Sequence, residues 1–527
     1  MKKLFCSILV LMLLVSCNSV KKYNEQITTL HTVEGVRSDI DKVYNQLKKH
    51  HPKLYQYTSK EDLDFKFDSL KASIKSPINS RDFYKKLAPV VSLVRQGHIA
   101  VGSVSKRFTR KERKFLKKNK FQFYDLDFEY LNQKLWVTNV RGGDSLLVGS
   151  EVVKIEDDLA TNLVGRYKTR FASDGYNQTL HNRYVGKGFR YFYYKDKGYL
   201  DSLTITFKLK DSLFNKTFKR IKKGEKQDSI TDKKVKKPKL SKVEKKNNRI
   251  AAKEKRKKDK KYGFISKDKG YTRHFRFLEA DSTVAYMKIK AFGNRNYKKF
   301  YKESFAKLDS AKTKNVILDL RDNGGGRISE VDYLYAYLTD ENYKLVNESE
   351  VASRLPYFSF LMSNTSLNAL KIISGILSPF IAVHNLIKTK KRDGRFYYNL
   401  RFSKEKTPKP LHYKGNLYVL INGNSFSASS LISTHLKATK RAVFVGEETG
   451  GAYNGCVAGI YKIYQMPTSK LKIRMGLIQV ETAYKQAPDG YGIKPDVEIL
   501  PTIKDRNLKR DPELEWVLAD IKKKKHS

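Results

Sequence analysis

Cysteine is almost missing from this chain: Cys6, Cys17 and Cys456 are the only three in 527 residues. That scarcity excludes a disulfide-stapled scaffold and leaves stability to packing. No Cys/His pair has the spacing of a metal-ligand motif, so no metal and no cofactor are expected. Acidic residues are few, 54 Asp/Glu against 106 Lys/Arg, for a formal net charge of +52. Long apolar runs are also lacking. Leu4–Val15 is too short to span a bilayer, and Ile372–Ile387 is broken by Gly375 and Pro379. The one run of three glycines, Gly324–Gly326, is followed by Arg327-Ile328 and not by Gly-Lys-Ser/Thr, which excludes a P-loop nucleotide site.

What is present is ample core material: 40% hydrophobic residues, with 33 Tyr and 28 Phe, enough for two or three domains. At the N-terminus Lys2 and Lys3 precede Leu4–Val15, which ends in Leu14-Val15-Ser16-Cys17. This resembles a bacterial lipobox, so residues 1–17 are read as a lipoprotein signal peptide with Cys17 as the lipidated first residue of the mature chain. That implies a lipid-anchored protein of the bacterial cell envelope, facing the periplasm or the cell surface. The positive charge is concentrated: Lys216–Lys261 holds 22 Lys/Arg against 6 Asp/Glu. With so few apolar residues, 211–275 is expected to be a disordered, Lys-rich insert. No aromatic residue lies between Phe218 and Tyr262, which argues against nucleic acid as a partner.

Periodicity divides the rest. Residues 18–35 read as a tether. A helical N-terminal domain follows over 36–118, with Ile40, Val43, Tyr44 and Leu47 on one face after Ser38, and Phe83, Leu87, Val91 and Val94 on another after Ser80. Short strands fill 119–210. Apolar strands alternate with helical stretches over 276–510, the pattern of an α/β core, with an insertion at 356–395 for which a buried helical pair is favoured over a lid. Residues 511–527 form a C-terminal helix and basic tail.

Three stretches carry chemistry. Asn416–Ile421 is a buried-strand pattern that runs into Asn422-Gly-Asn-Ser-Phe-Ser427-Ala428-Ser-Ser430 and then a helical pattern. Such a turn can present a hydroxyl, and the helix start supplies free N–H groups for an oxyanion. Val316–Leu320 runs into Arg321-Asp-Asn-Gly324-Gly325-Gly326. Ala442–Val445 leads to Gly446-Glu-Glu-Thr-Gly-Gly451, and Gly492-Ile-Lys-Pro-Asp496 closes the series.

In order and spacing these blocks resemble the S41 peptidases, the tail-specific or C-terminal processing proteases that include the tricorn core protease. The resemblance covers 276–340 and 411–500. It implies a ClpP/crotonase-like spiral core, a PDZ-like β module over 119–210, and hydrolysis of peptide or unfolded protein through an acyl-enzyme. By resemblance Ser427 is the nucleophile, and the oxyanion hole comes from Ala428 with Gly324 or Gly325. Ser430 replaces the usual Glu. Ala452 stands where many members carry a base Lys, so the chain is similar to the tricorn-like branch that uses His. His98, in Gln96-Gly-His98, matches that base. The third member matches Asp489, with Glu447, Glu448 and Glu481 as alternatives. A catalytically inactive binding protein of the same fold, taking a hydrophobic ligand or peptide, is the other reading.

Overall fold

Six strands lie side by side in chain order in the central sheet: Arg273–Phe277, Val284–Ile289, Asn315–Asp319, Asn416–Ile421, Val443–Gly446 and Val497–Glu498. The first pair is antiparallel and every later pair is parallel. The structure, a computed structural model, describes residues 19–142, 145–223, 241–266, 270–293, 296–361, 363–365, 371–372 and 375–526. Cys17 and the signal-peptide reading lie outside these residues.

Alternation along the strands feeds two cores. Ala285, Met287, Val316, Leu318, Leu417 and Val419 face helices Tyr297–Ser310, Ile328–Tyr335 and Ala428–Ala438. Val284, Ile317, Tyr418 and Leu420 face Val517 and Ile521 of the C-terminal helix Pro512–His526. Strands covered on both faces read as continuous apolar runs, which is why they stood out in the sequence.

A second sheet orders Ala100–Gly102, Lys472–Glu481, Ser349–Val351, Arg395–Tyr398 and Thr389–Arg392, with Gly455–Gln465 also paired to Lys472–Glu481. Its strand Ala100–Gly102 pairs antiparallel with Lys472–Glu481, Ala100 opposite Arg474. The N-terminal helices pack on the same sheet. Val36, Ile40, Leu47, Phe83 and Leu87 share one cluster with Ile473, Met475 and Leu477. Residues 18–35, expected to be a tether, instead carry helix Val20–Thr28, whose Ile27 is buried in the same cluster. The helix expected after Ser38 is Val33–His50, because Thr32 caps it by accepting from the Gly35 amide. Lys60–Ala72 follows, and then Ser80–Ser92, capped by Asn79.

Residues 119–222 carry a seven-stranded antiparallel sheet with three helices, Ala160–Lys168, Thr179–Lys187 and Phe189–Lys197, packed on it. Its last strand, Ser212–Lys222, extends past residue 210 into the segment expected to be disordered. That expectation is corrected again at Lys242–Tyr262, a helix with a Ser241/Glu244 capping box and a left-handed Gly263 at its end. Lys, Glu and Ala are good helix formers, and Tyr262 packs edge-on to Phe300, so composition alone misjudged the segment. The insertion 356–395 is no buried pair. Its helix Ser378–Lys388 buries only Asn385, while Phe380 is 75% and Ile387 73% exposed. No helix among the described residues is long and apolar enough to cross a membrane.

Candidate active site

Ser427 sits at the junction of strand Asn416–Ile421 and helix Ala428–Ala438, with φ 59° and ψ −119°. A non-glycine residue there is strained, and the surrounding turn holds it. Ser425 Oγ donates to Leu320 O at 2.8 Å and accepts from the Asn422 amide, and the Phe426 amide donates to Asn323 O. Ser430 Oγ donates back to Ser425 O. Ser427 alone of the turn's serines meets a histidine: its Oγ lies 3.0 Å from His98 Nε2.

The second sheet brings His98 there, since the residue lies two positions before strand Ala100–Gly102, which pairs with Lys472–Glu481. The imidazole is buried between the rings of Phe426, 4.8 Å away, and Tyr461, 5.9 Å away. Burial, and secondarily the charge of Arg474, lower its pKa to about 3, so it is neutral over the physiological range. Its Nδ1 is buried without a hydrogen-bond partner.

Asp489 is not on that nitrogen. It accepts from Gln56 Nε2 and Asn454 Nδ2, both at 2.9 Å, and from the Gly490 amide at 2.7 Å. The alternatives are also committed elsewhere. Glu447 holds Arg183 and the Gly423 amide, Glu448 the Gly492 amide, and Glu481 pairs with Lys485.

The carboxylate nearest His98 is one the sequence did not single out, Asp174. A carboxylate oxygen of Asp174, a ring nitrogen of His98 and Cys456 Sγ all lie within 4.8 Å of one another. Asp174 accepts from the Gly97 amide at 2.7 Å and from the Ala452 amide at 3.4 Å, tying the His98 loop to the turn after Gly446. Burial raises its pKa to about 7, against the pull of those two amides. In sequence Asp174-Gly175 looks like a turn and nothing more. Because Asn cannot accept on both atoms, Asp174→Asn is expected to slow any reaction of Ser427 by about tenfold while leaving substrate KM nearly unchanged. Steady-state kinetics read that split.

Of the three glycines Gly324–Gly326, Gly325 packs directly on the turn. Gly325 has φ 97°, and a Cβ there would come within 2.7 Å of Phe426 O and 2.8 Å of Ser427 Cβ. Its amide donates to Asn323 Oδ1 at 2.9 Å, so it is not available to an oxyanion. Among the described residues no acceptor is found for the amides of Gly324, Gly326 and Ala428. Of these, Gly326 and Ala428 line the cavity beside Ser427.

That cavity is about 580 Å³ and is walled by Tyr357, Tyr398, Leu431, Tyr461, Ile478 and Val480 among others. His384 and Lys388, from the exposed helix of the insertion, stand at its edge. It is a mainly apolar slot lined by the Ser427 hydroxyl, with the His98 imidazole behind that hydroxyl, and by residues whose amides are unpaired.

The model of peptidase family S41 matches residues 283–499, which span the Ser427 turn and the three glycines. Two solved structures share the fold across nearly the whole chain. Mature CPAF complexed with lactacystin aligns with TM-score 0.60 and 14% identity, covering 93% of this chain and 98% of that one. Mature CPAF alone aligns with TM-score 0.57 and 13% identity, covering 90% and 94%. No curated protein sequence matches significantly.

Proposed function

We propose that this chain, whose residues 283–499 match the model of peptidase family S41, is a serine endopeptidase that uses Ser427 as nucleophile and His98 as general base. The observation that carries the reading is the 3.0 Å contact between His98 Nε2 and Ser427 Oγ at the mouth of an apolar cavity. Ser427 Oγ attacks the scissile carbonyl and gives its proton to Nε2. The carbonyl oxygen becomes an oxyanion, held by the Ala428 amide and by Gly326 or Gly324 in place of the engaged Gly325. His98 then protonates the leaving amine. Water, activated by the same nitrogen, releases the acyl group and frees the serine.

The apolar walls favour a large apolar side chain on the acyl side of the cleaved bond. The antiparallel sheet of 119–222 is assigned to a PDZ-like module that presents the substrate, and the core to the ClpP/crotonase-like spiral. The lipid anchor at Cys17 and an envelope location complete the reading, since an exported enzyme meets unfolded protein on that side of the membrane.

The test incubates the protein and its Ser427→Ala variant with an unfolded protein mixture and reads new termini by mass spectrometry. Termini made only by the parent, enriched in apolar residues before the cut, are expected. Identical spectra would instead leave a binding protein of the same fold.

A further inference from the structure

Cys456 has no part in acyl transfer, yet it stands beside the base. His98, Asp174 and Cys456 come from distant parts of the chain, and each brings one ligand atom within 4.8 Å of the other two. His98 Nδ1 is buried and unpartnered. Asp174 is 1% exposed and held in place by the Gly97 and Ala452 amides. Cys456 is half-buried and free. We propose that these three side chains bind one zinc-like divalent cation, and that occupancy turns the peptidase off. The site stands on geometry alone; the inhibition rests on the serine-peptidase reading.

The mixed nitrogen, oxygen and sulfur donors suit Zn²⁺ and not Mg²⁺ or Ca²⁺, which take oxygen sets. Zinc bonds of about 2.0–2.3 Å in a tetrahedron place ligand atoms roughly 3.3–3.8 Å apart, so each of the three closes inward by less than about 1 Å on loading. A water fills the fourth position. On binding, the Cys456 thiol releases its proton to solvent, Asp174 binds as the carboxylate, and neutral His98 lends its Nδ1 lone pair. These donors lay far apart in sequence, at 98, 174 and 456, so no ligand spacing could announce them.

Inhibition follows from tautomerism. A neutral imidazole that ligates through Nδ1 carries its one proton on Nε2. Across the 3.0 Å contact Nε2 then donates to Ser427 Oγ and cannot accept from it. The cation and the reaction compete for the same ring, so metal binding removes the base without touching the nucleophile.

The test titrates Co²⁺ into the purified full chain and follows thiolate-to-cobalt charge-transfer absorption, a readout that needs no activity. One equivalent is expected to saturate the band, and Cys456→Ser and Cys456→Ala are expected to abolish it while their metal-free thermal midpoints match the parent's. In parallel, Zn²⁺ is expected to block fluorophosphonate labelling of Ser427, a chelator to restore it, and Cys456→Ser to need on the order of tenfold more zinc. No thiolate band, a band that survives Cys456→Ser, or zinc inhibition unchanged in that variant would overturn the proposal. A Cys456-dependent band on a chain that never labels at Ser427 supports the metal site and overturns the peptidase reading.

Discussion

His98→Ala is expected to cut fluorophosphonate labelling of Ser427 at pH 7 by about 10⁴-fold, with far-UV circular dichroism unchanged. The size follows from what is left behind. Ser427 keeps its strained backbone and its place at the helix start, but the buried slot offers it no other base: Asp174 is held by two amides and Cys456 is kept protonated by burial. The pH profile of the parent is a sharper check than the loss itself. A histidine with an ordinary pKa near 6.5 is only about 3% neutral at pH 5. His98 is held at about 3 by burial and by Arg474, so the neutral base survives as pH falls. Protonation of Asp174, whose pKa lies at about 7, removes a neighbouring negative charge and favours the neutral ring further. Labelling at pH 5 is therefore expected within about twofold of that at pH 7. A roughly 25-fold fall between those values would show a solvated imidazole and a different base geometry.

The pair Ser427–His98 was legible because each residue sits in a local pattern. A buried strand, a small polar turn and a helix start place Ser427, and Gly-His before a short strand places His98. Their meeting was legible only through the resemblance, since 329 positions separate them. The carboxylate was not legible. Asp489 lies in a turn whose own partners, Gln56 and Asn454, are remote in sequence, and Asp174 looks like any Asp-Gly turn. The free amides beside Ser427 were half legible. The sequence pointed to glycine, but which amide remains free depends on Asn323 folding its side chain onto Gly325.

Composition misled where it stood in for periodicity. The aromatic-rich stretch Phe189–Lys197 sits in a segment read as strands. Phe189, Phe192 and Tyr193, at i, i+3 and i+4, are buried on one face of a helix. The Lys-rich helix Lys242–Tyr262 buries none of its residues, so no apolar stripe marked it, and its sequence signals were its helix-forming residues and its caps. The reverse error occurred at Ser378–Lys388, whose apolar residues suggested burial and instead face outward beside the cavity.

Arg321→Ala is expected to lower unfolding free energy by roughly 3–5 kcal/mol and to take most of the activity with it. Arg321 belongs to a stretch that looked catalytic, yet its work is structural. Its guanidinium bridges Asp319, at the end of the central strand, to Asp511 at 2.6 Å and Glu513 at 3.2 Å, at the start of the C-terminal helix. Asp319 is fully buried, and removing Arg321 leaves it only Lys288 as a cationic partner. The pH dependence gives the sign. Arg321 first, then Lys288, hold the Asp319 carboxyl well below its usual range against the cost of burial. Arg321 also lowers Asp511. Groups with depressed pKa values stabilise the fold above about pH 4 and lose that contribution as pH falls toward the folded-state value. The deficit of Arg321→Ala relative to the parent, measured by urea unfolding, should thus be full at pH 7 and shrink below pH 4. Activity falls as well, because the same strand end carries the Ser427 turn: Leu320 O receives Ser425 Oγ, and Asn323 O receives the Phe426 amide. A variant that unfolds at the parent's urea midpoint would show that the network adds nothing beyond packing. A stable variant that still loses labelling would place the effect in the turn, where a loosened Leu320 lets Ser427 relax out of its positive-φ conformation and away from His98.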